Sequence, residues 1–163
     1  MASDVAWVAE ANLHVTLKFL GPTDDARVPA VAAALGEAAR GAAAHELRVR
    51  DLGAFPSPGR PRVVWAGLEA AAPLAALAAA VDDALAALGI PRESRPFAAH
   101  VTLGRVREPR RQPALAAALA RPVDFGALPV RRVSLMRSDL HPRGARYTEL
   151  TSIALSGGTS PVE

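Results

Sequence analysis

Apolar and polar positions alternate through residues 12–20 (NLHVTLKFL), with Leu13, Val15, Leu17 and Phe19 on one side and Asn12, His14, Thr16 and Lys18 on the other. A period of two marks a half-buried strand, so His14, Thr16 and Lys18 are expected to share a face. Gly21-Pro22-Thr23-Asp24 ends that strand. Acidic residues at 24 and 25 then precede an Ala-rich stretch to Ala39, which predicts a helix closed near Gly41. Residues 46–55 (ELRVRDLGAF) alternate again, and residues 62–68 (RVVWAGL) form an apolar run. These two strands are expected to pair across the rigid connection PSPGRP.

Residues 72–88 place Leu74, Leu77, Val81, Ala84, Leu85 and Leu88 at helical spacing, with Asp82 and Asp83 turned away and Gly89 as the stop. Residues 98–106 (AAHVTLGRV) predict a fourth strand and residues 113–121 a short helix. Further strands are expected at 123–125, 130–137 and 147–155, and a loose polar tail over 156–163. Interleaved strands and helices with short connections indicate one α+β domain over residues 1–155, mainly antiparallel, packed on helices and with room for two lobes.

Composition narrows the function. With 163 residues, 50% hydrophobic and 21% charged, the chain is sized for one folded domain. It lacks a run of some 18 uncharged apolar residues and an N-terminal leader pattern, so a cytoplasmic protein without membrane contact is expected. The absence of cysteine excludes a disulfide, a thiolate nucleophile and a cysteine-based zinc site. The formal charge is +3, and Lys18 is the only lysine. Positive charge is thus nearly all guanidinium, which suits planar, bidentate contact with phosphate. Fourteen of the eighteen arginines fall between Arg60 and Arg146. A GC-rich genome, which favours Ala and Arg together, accounts equally well for that usage.

The informative feature is an internal echo. His14-Val15-Thr16-Leu17 recurs 86 residues later as His100-Val101-Thr102-Leu103, both copies in expected strands. From average residue usage such a recurrence arises by chance about once in a thousand chains, and it suggests two equivalent halves. Phosphodiester displacement needs one group to accept a proton from the attacking oxygen and another to donate one to the departing oxygen. Imidazole, with an ordinary pKa of about 6.5, performs either task near neutrality without a metal. Each threonine shares its histidine's face and is placed to hydrogen-bond a non-bridging phosphate oxygen. His45 and His141 are read as ordinary structural or surface residues. No carboxylate or histidine sits at ligand spacing near either copy, so no metal is expected.

The stretches NLHVTLKFLG, GAFPSPGRPRVVWAG, RPFAAHVTLGRV and SLMRSDLHPRGARYTEL resemble the RNA 2′,3′-cyclic phosphodiesterase family, also named 2′-5′ RNA ligase, of the two-histidine phosphoesterase superfamily. The resemblance implies a bilobal, pseudo-symmetric α+β fold with antiparallel sheets flanking a central cleft, one HxT motif coming from each lobe. It further implies hydrolysis of an RNA 2′,3′-cyclic phosphate to a 2′-phosphomonoester without a cofactor, and slow reverse joining to a 5′-hydroxyl. His14 is then the general acid, His100 the base that activates water, and Thr16 and Thr102 phosphate binders. Arg105 corresponds to an arginine the family uses near phosphate. Strict alternation puts it opposite His100, so it reaches the site only if the strand bends near Gly104; otherwise it is a surface ion pair. Phe55, Arg60 and Arg62 flank the proline-rich loop and are candidates to hold an RNA end, with Phe55 as core the alternative.

Relatives usually carry a further strand and helix before the first histidine strand, whereas thirteen residues precede His14 here. An incomplete lobe would expose a sheet edge and apolar surface, which a homo-oligomer would cover. The competing functions are hydrolysis of a small cyclic phosphate and a catalytically silent, arginine-rich RNA-binding module.

Overall fold

In a computed structural model of the chain, described for residues 4–108 and 110–157, the elements follow the order β1 (Val5–Trp7), α1 (Val28–Arg40), β2 (His45–Ser57), β3 (Arg60–Glu69), α2 (Ala72–Ala86), β4 (His100–Val106), α3 (Pro113–Leu119), β5 (Asp124–Val130), β6 (Arg132–Asp139) and β7 (Arg146–Ala154). This is an α+β chain with a five-stranded sheet of order β1-β4-β3-β2-β5 and a two-stranded sheet β6-β7. No helix among the described residues is long and apolar enough to cross a membrane.

The chain divides into two compact units that interleave along the sequence. The first gathers residues 1–16, 47–71 and 99–128; the second gathers 17–46, 72–98 and 129–163. In the first unit one sheet face is apolar. Val5, Ala54, Val64 and Val106, from four strands, are buried with Leu119 of α3. The second unit buries Val31, Leu35 and Ala39 of α1 against Leu77, Val81 and Leu85 of α2, with Val133 of β6 and Leu155. The three-to-four-residue spacing on α2 is what the sequence pattern predicts, and the buried residues of α1 show the same spacing. Gly41 caps α1 as expected, and Asp24 caps the 3₁₀ turn that leads into it, its side chain accepting from the Ala26 N–H.

β2 and β3 pair antiparallel, as their patterns predict, and the proline-rich segment is a tight hairpin end with Ser57 opposite Arg60. Several expectations fail. Residues 13–20 are irregular, because alternation records amphipathy while a strand also needs a ladder partner, and no described strand supplies one. Leu13 and Phe19 are exposed, whereas Leu17 and Leu20 pack on the second unit's core.

Lys18 does not share a catalytic face with His14. Only 4% of its side chain is exposed. Its ammonium donates to Asp82 and, at 2.8 Å, to the Pro91 carbonyl. Asp82, expected to turn away from the protein, is accordingly a half-buried partner that also accepts from the Glu93 N–H at 3.0 Å. The Lys18 ammonium, by hydrogen bonding foremost, holds the Asp82 carboxyl below its ordinary range.

β1 escapes the pattern because three residues are too few to show a period, yet Val5, Ala6 and Trp7 lie opposite Val106, Arg105 and Gly104. A strand therefore does precede His14. Of the tail expected from Ser156, that residue bridges to Ala43, its N–H donating to Ala42 O at 3.0 Å, and residues 158–163 lie outside the described part.

Candidate active site

β4 carries the second HxT copy, and its register decides what shares a face with it. His100, Val101 and Thr102 lie opposite Gly67, Ala66 and Trp65 of β3, after which the pairing slips, so that Gly104 faces Val64 and Arg105 faces Val63. Leu103 is therefore an extra residue on β4, a bulge. Residues directly opposed in an antiparallel pair point to the same side, and Gly67, Trp65 and Val63 alternate regularly on β3. His100, Thr102 and Arg105 thus project from one face, the reverse of the apolar one. The bulge, rather than a bend at Gly104, brings Arg105 round.

Phe55 lies opposite Val63 and Gly53 opposite Trp65, so both aromatic side chains stand on the same face as His100. Their rings meet: Phe55 lies edge-on to His100 with centroids 5.1 Å apart and planes at 86°. Phe55 and Trp65 are 5.4 Å apart, and Trp65 and His100 6.5 Å. Phe55 is consequently not core: its ring is exposed and in contact with both His100 and Trp65. Arg60 and Arg62 are exposed at the hairpin end of β3 in the same unit. Trp65, which carries no catalytic chemistry of its own, is not among the sequence candidates. Its signal is parity with Phe55 and His100 once β2, β3 and β4 are paired.

The first HxT copy reaches this unit by a different route. β1 runs antiparallel to β4, and the Val8 N–H donates to Leu103 O at 2.8 Å, so the chain leaving β1 heads toward the His100 end of β4. A 3₁₀ turn at Glu10–Asn12 follows, closed by the Leu13 N–H on Glu10 O. His14 comes next and is exposed, its Nδ1 2.6 Å from Asn12 O. A carbonyl oxygen can only accept, so Nδ1 carries the hydrogen and the neutral ring holds its lone pair on Nε2. Thr16 is exposed two residues on. Both HVT copies belong to the first unit rather than one to each, because the chain passes into the second unit only at Leu17.

His45 and His141 belong to the second unit, with Nδ1 of His45 on Ala43 O and Nδ1 of His141 accepting from the Arg143 N–H.

The 2′-5′ RNA ligase superfamily model matches residues 2–142. An RNA 2′,3′-cyclic phosphodiesterase of Methanothermobacter thermautotrophicus is 34% identical over 150 residues, covering 91% of this chain and 81% of that protein. Among solved structures, a Thermus thermophilus protein superposes with a TM-score of 0.79 at 34% identity, over 96% of this chain and 85% of that one. E. coli LigT complexed with 3′-AMP gives 0.77 at 30% identity, over 96% and 84%. With most of its length matched by the family model and by these relatives, the chain belongs to the 2′-5′ RNA ligase superfamily.

Proposed function

We propose that this protein hydrolyses 2′,3′-cyclic phosphate ends of RNA to 2′-phosphomonoesters by acid–base catalysis between His14 and His100, without a metal or other cofactor. The observation that carries the reading is the shared face of His100, Thr102 and Arg105, in a chain one third identical to an RNA 2′,3′-cyclic phosphodiesterase. In this reading His100 takes a proton from water as its oxygen bonds to phosphorus. The P–O3′ bond breaks, and His14 delivers the proton on its Nε2 to O3′. Solvent exchange returns both rings to their starting states. Thr16 and Thr102 hydroxyls donate to the non-bridging oxygens, and the Arg105 guanidinium balances the charge gathering there.

Ligation joins a cyclic end to a 5′-hydroxyl as a 2′-5′ bond: the 5′-hydroxyl takes the place of water, His100 accepts its proton, and His14 again protonates the departing O3′. The sequence echo supports treating the motifs as pseudo-symmetric parts of a two-histidine phosphoesterase, acting in the cytoplasm on an RNA end near Arg60 and Arg62. Self-association is part of the proposal: Phe19 and Leu140, 79% and 94% exposed, are apolar surface a second copy would cover. Light scattering should then give a dimer mass or larger, and a monomer at micromolar concentration refutes that part.

The testing experiment incubates a 2′,3′-cyclic-ended oligonucleotide with the protein in excess chelator and identifies the product. A terminal 2′-phosphate is expected; a 3′-phosphate, or no turnover in chelator with turnover when a divalent metal is restored, overturns the proposal. A small cyclic phosphate is the second reading, favoured by the 3′-AMP bound to the E. coli relative. A cyclic mononucleotide turned over with far higher kcat/KM than the oligonucleotide would select it.

A further inference from the structure

We infer that Phe55 and Trp65 are positioning residues that hold the His100 imidazole in its working orientation, an inference that rests on His100 acting in catalysis. His100 is the first residue of β4, and two aromatic neighbours bear on its ring. Phe55 meets the imidazole at 86°, the edge-to-face arrangement that ring quadrupoles favour, while Trp65 lies beyond it at 6.5 Å.

Trp65 is itself fixed by the backbone beneath it. A Cβ at Gly53 would stand 2.2 Å from two carbons of the indole, so the ring lies directly on that glycine. Gly67 closes the other side, where a Cβ would come 2.8 Å from Arg50 O and 3.5 Å from the indole edge. The indole Nε1 is buried and makes no hydrogen bond among the described residues. Shape therefore sets the position of Trp65, Trp65 backs Phe55 at 5.4 Å, and Phe55 backs His100. Phe55 was a candidate for stacking on an RNA base. Although 37% of it is exposed, its contact with the imidazole assigns it to the histidine.

The test compares Phe55→Leu, Trp65→Phe and Phe55→Tyr with the unmodified protein, by steady-state kinetics on a cyclic-ended oligonucleotide and by NMR relaxation of the His100 ring. Phe55→Leu keeps apolar volume but removes the ring. It is expected to lower kcat about tenfold, a modest share of what misplacing a reacting group costs, with KM within about twofold. Phe55→Tyr, which restores the ring, should return kcat to near the original value. The His100 ring, rigid in the unmodified protein, should gain motion in Phe55→Leu and in Trp65→Phe. A raised KM with unchanged kcat, as loss of base stacking would give, overturns the inference. So does a ring equally rigid in both variants. If the unmodified protein turns over no cyclic phosphate, the proposed function fails, and the ring relaxation still decides the positioning role. Should Phe55→Leu not fold, Trp65→Phe carries the same comparison.

Discussion

Arg105 stands on the same sheet face as His100, although five positions separate them and a regular strand would send them to opposite sides. The extra residue at Leu103 shifts the parity once, between Thr102 and Gly104. In the proposed reading the guanidinium joins the imidazole and the Thr102 hydroxyl around one phosphate. Arg105→Ala is expected to lower kcat/KM on a cyclic-ended RNA by about 10²–10³, the usual loss when a charge-stabilising donor is removed. Arg105→Lys should recover only part, since an ammonium does not reproduce a bidentate fork. Kinetics indistinguishable from the unmodified protein would place Arg105 outside the site.

Gly53 is where the aromatic face is most easily disturbed. Because a methyl group there would overlap the indole of Trp65 at 2.2 Å, Gly53→Ala must push the ring or the strand aside. Overpacking of this kind costs about 1–3 kcal/mol, and each kcal/mol lowers Tm by about 2–4 °C for a chain of this size. Calorimetry should show that fall together with reduced turnover, because Trp65 backs Phe55 and His100. An unchanged Tm would mean the ring moves without resistance.

The Lys18–Asp82 pair links stability to pH. The Lys18 hydrogen bond, helped by the Glu93 N–H, depresses the Asp82 carboxyl in the folded protein. A folded value below the unfolded one means that the contribution is fully present above the ordinary aspartate value of about 3.9. It is lost as pH falls through that value and on through the lower folded one. Asp82→Asn should reduce Tm at neutral pH and flatten this part of the acid limb of Tm against pH. Parallel acid limbs for the two proteins would refute the linkage.

Catalysis by one imidazole acting as base and another as acid requires them in opposite protonation states. The dependence of kcat/KM on pH should be bell-shaped, and replacing either histidine should remove one limb along with most of the rate. A profile flat from about pH 5 to 9 would contradict the pair.

Helices and hairpins are the most legible parts of the sequence. Leu74, Leu77, Val81 and Leu85 fall on one side of α2, and β2 and β3 pair, because each pattern is long enough to show its period. The first HxT segment departs from its pattern for a physical reason. Its alternation continues through Lys18 and Phe19, but the chain changes unit at Leu17, and there Lys18 turns inward to Asp82. Among the candidate residues, the identities of His14, Thr16, His100 and Thr102 are visible as a repeat, whereas the placement of Arg105 is not. A bulge is a property of two strands together, and nothing in RVVWAGL or HVTLGRV alone announces it. Trp65 is hidden similarly, as an apolar residue in an apolar run whose role emerges only when Gly53 is set beneath it.

Whether His14 and His100 act as one catalytic unit is decided by a double-mutant cycle. Single-turnover rates on 2′,3′-cyclic-ended RNA should fall by about 10³ or more in His14→Ala and again in His100→Ala, and the double variant should be scarcely slower than either, as for groups that work together. Two small, independent losses that multiply in the double variant, or a single variant at full rate, would show that the two imidazoles do not share one reaction.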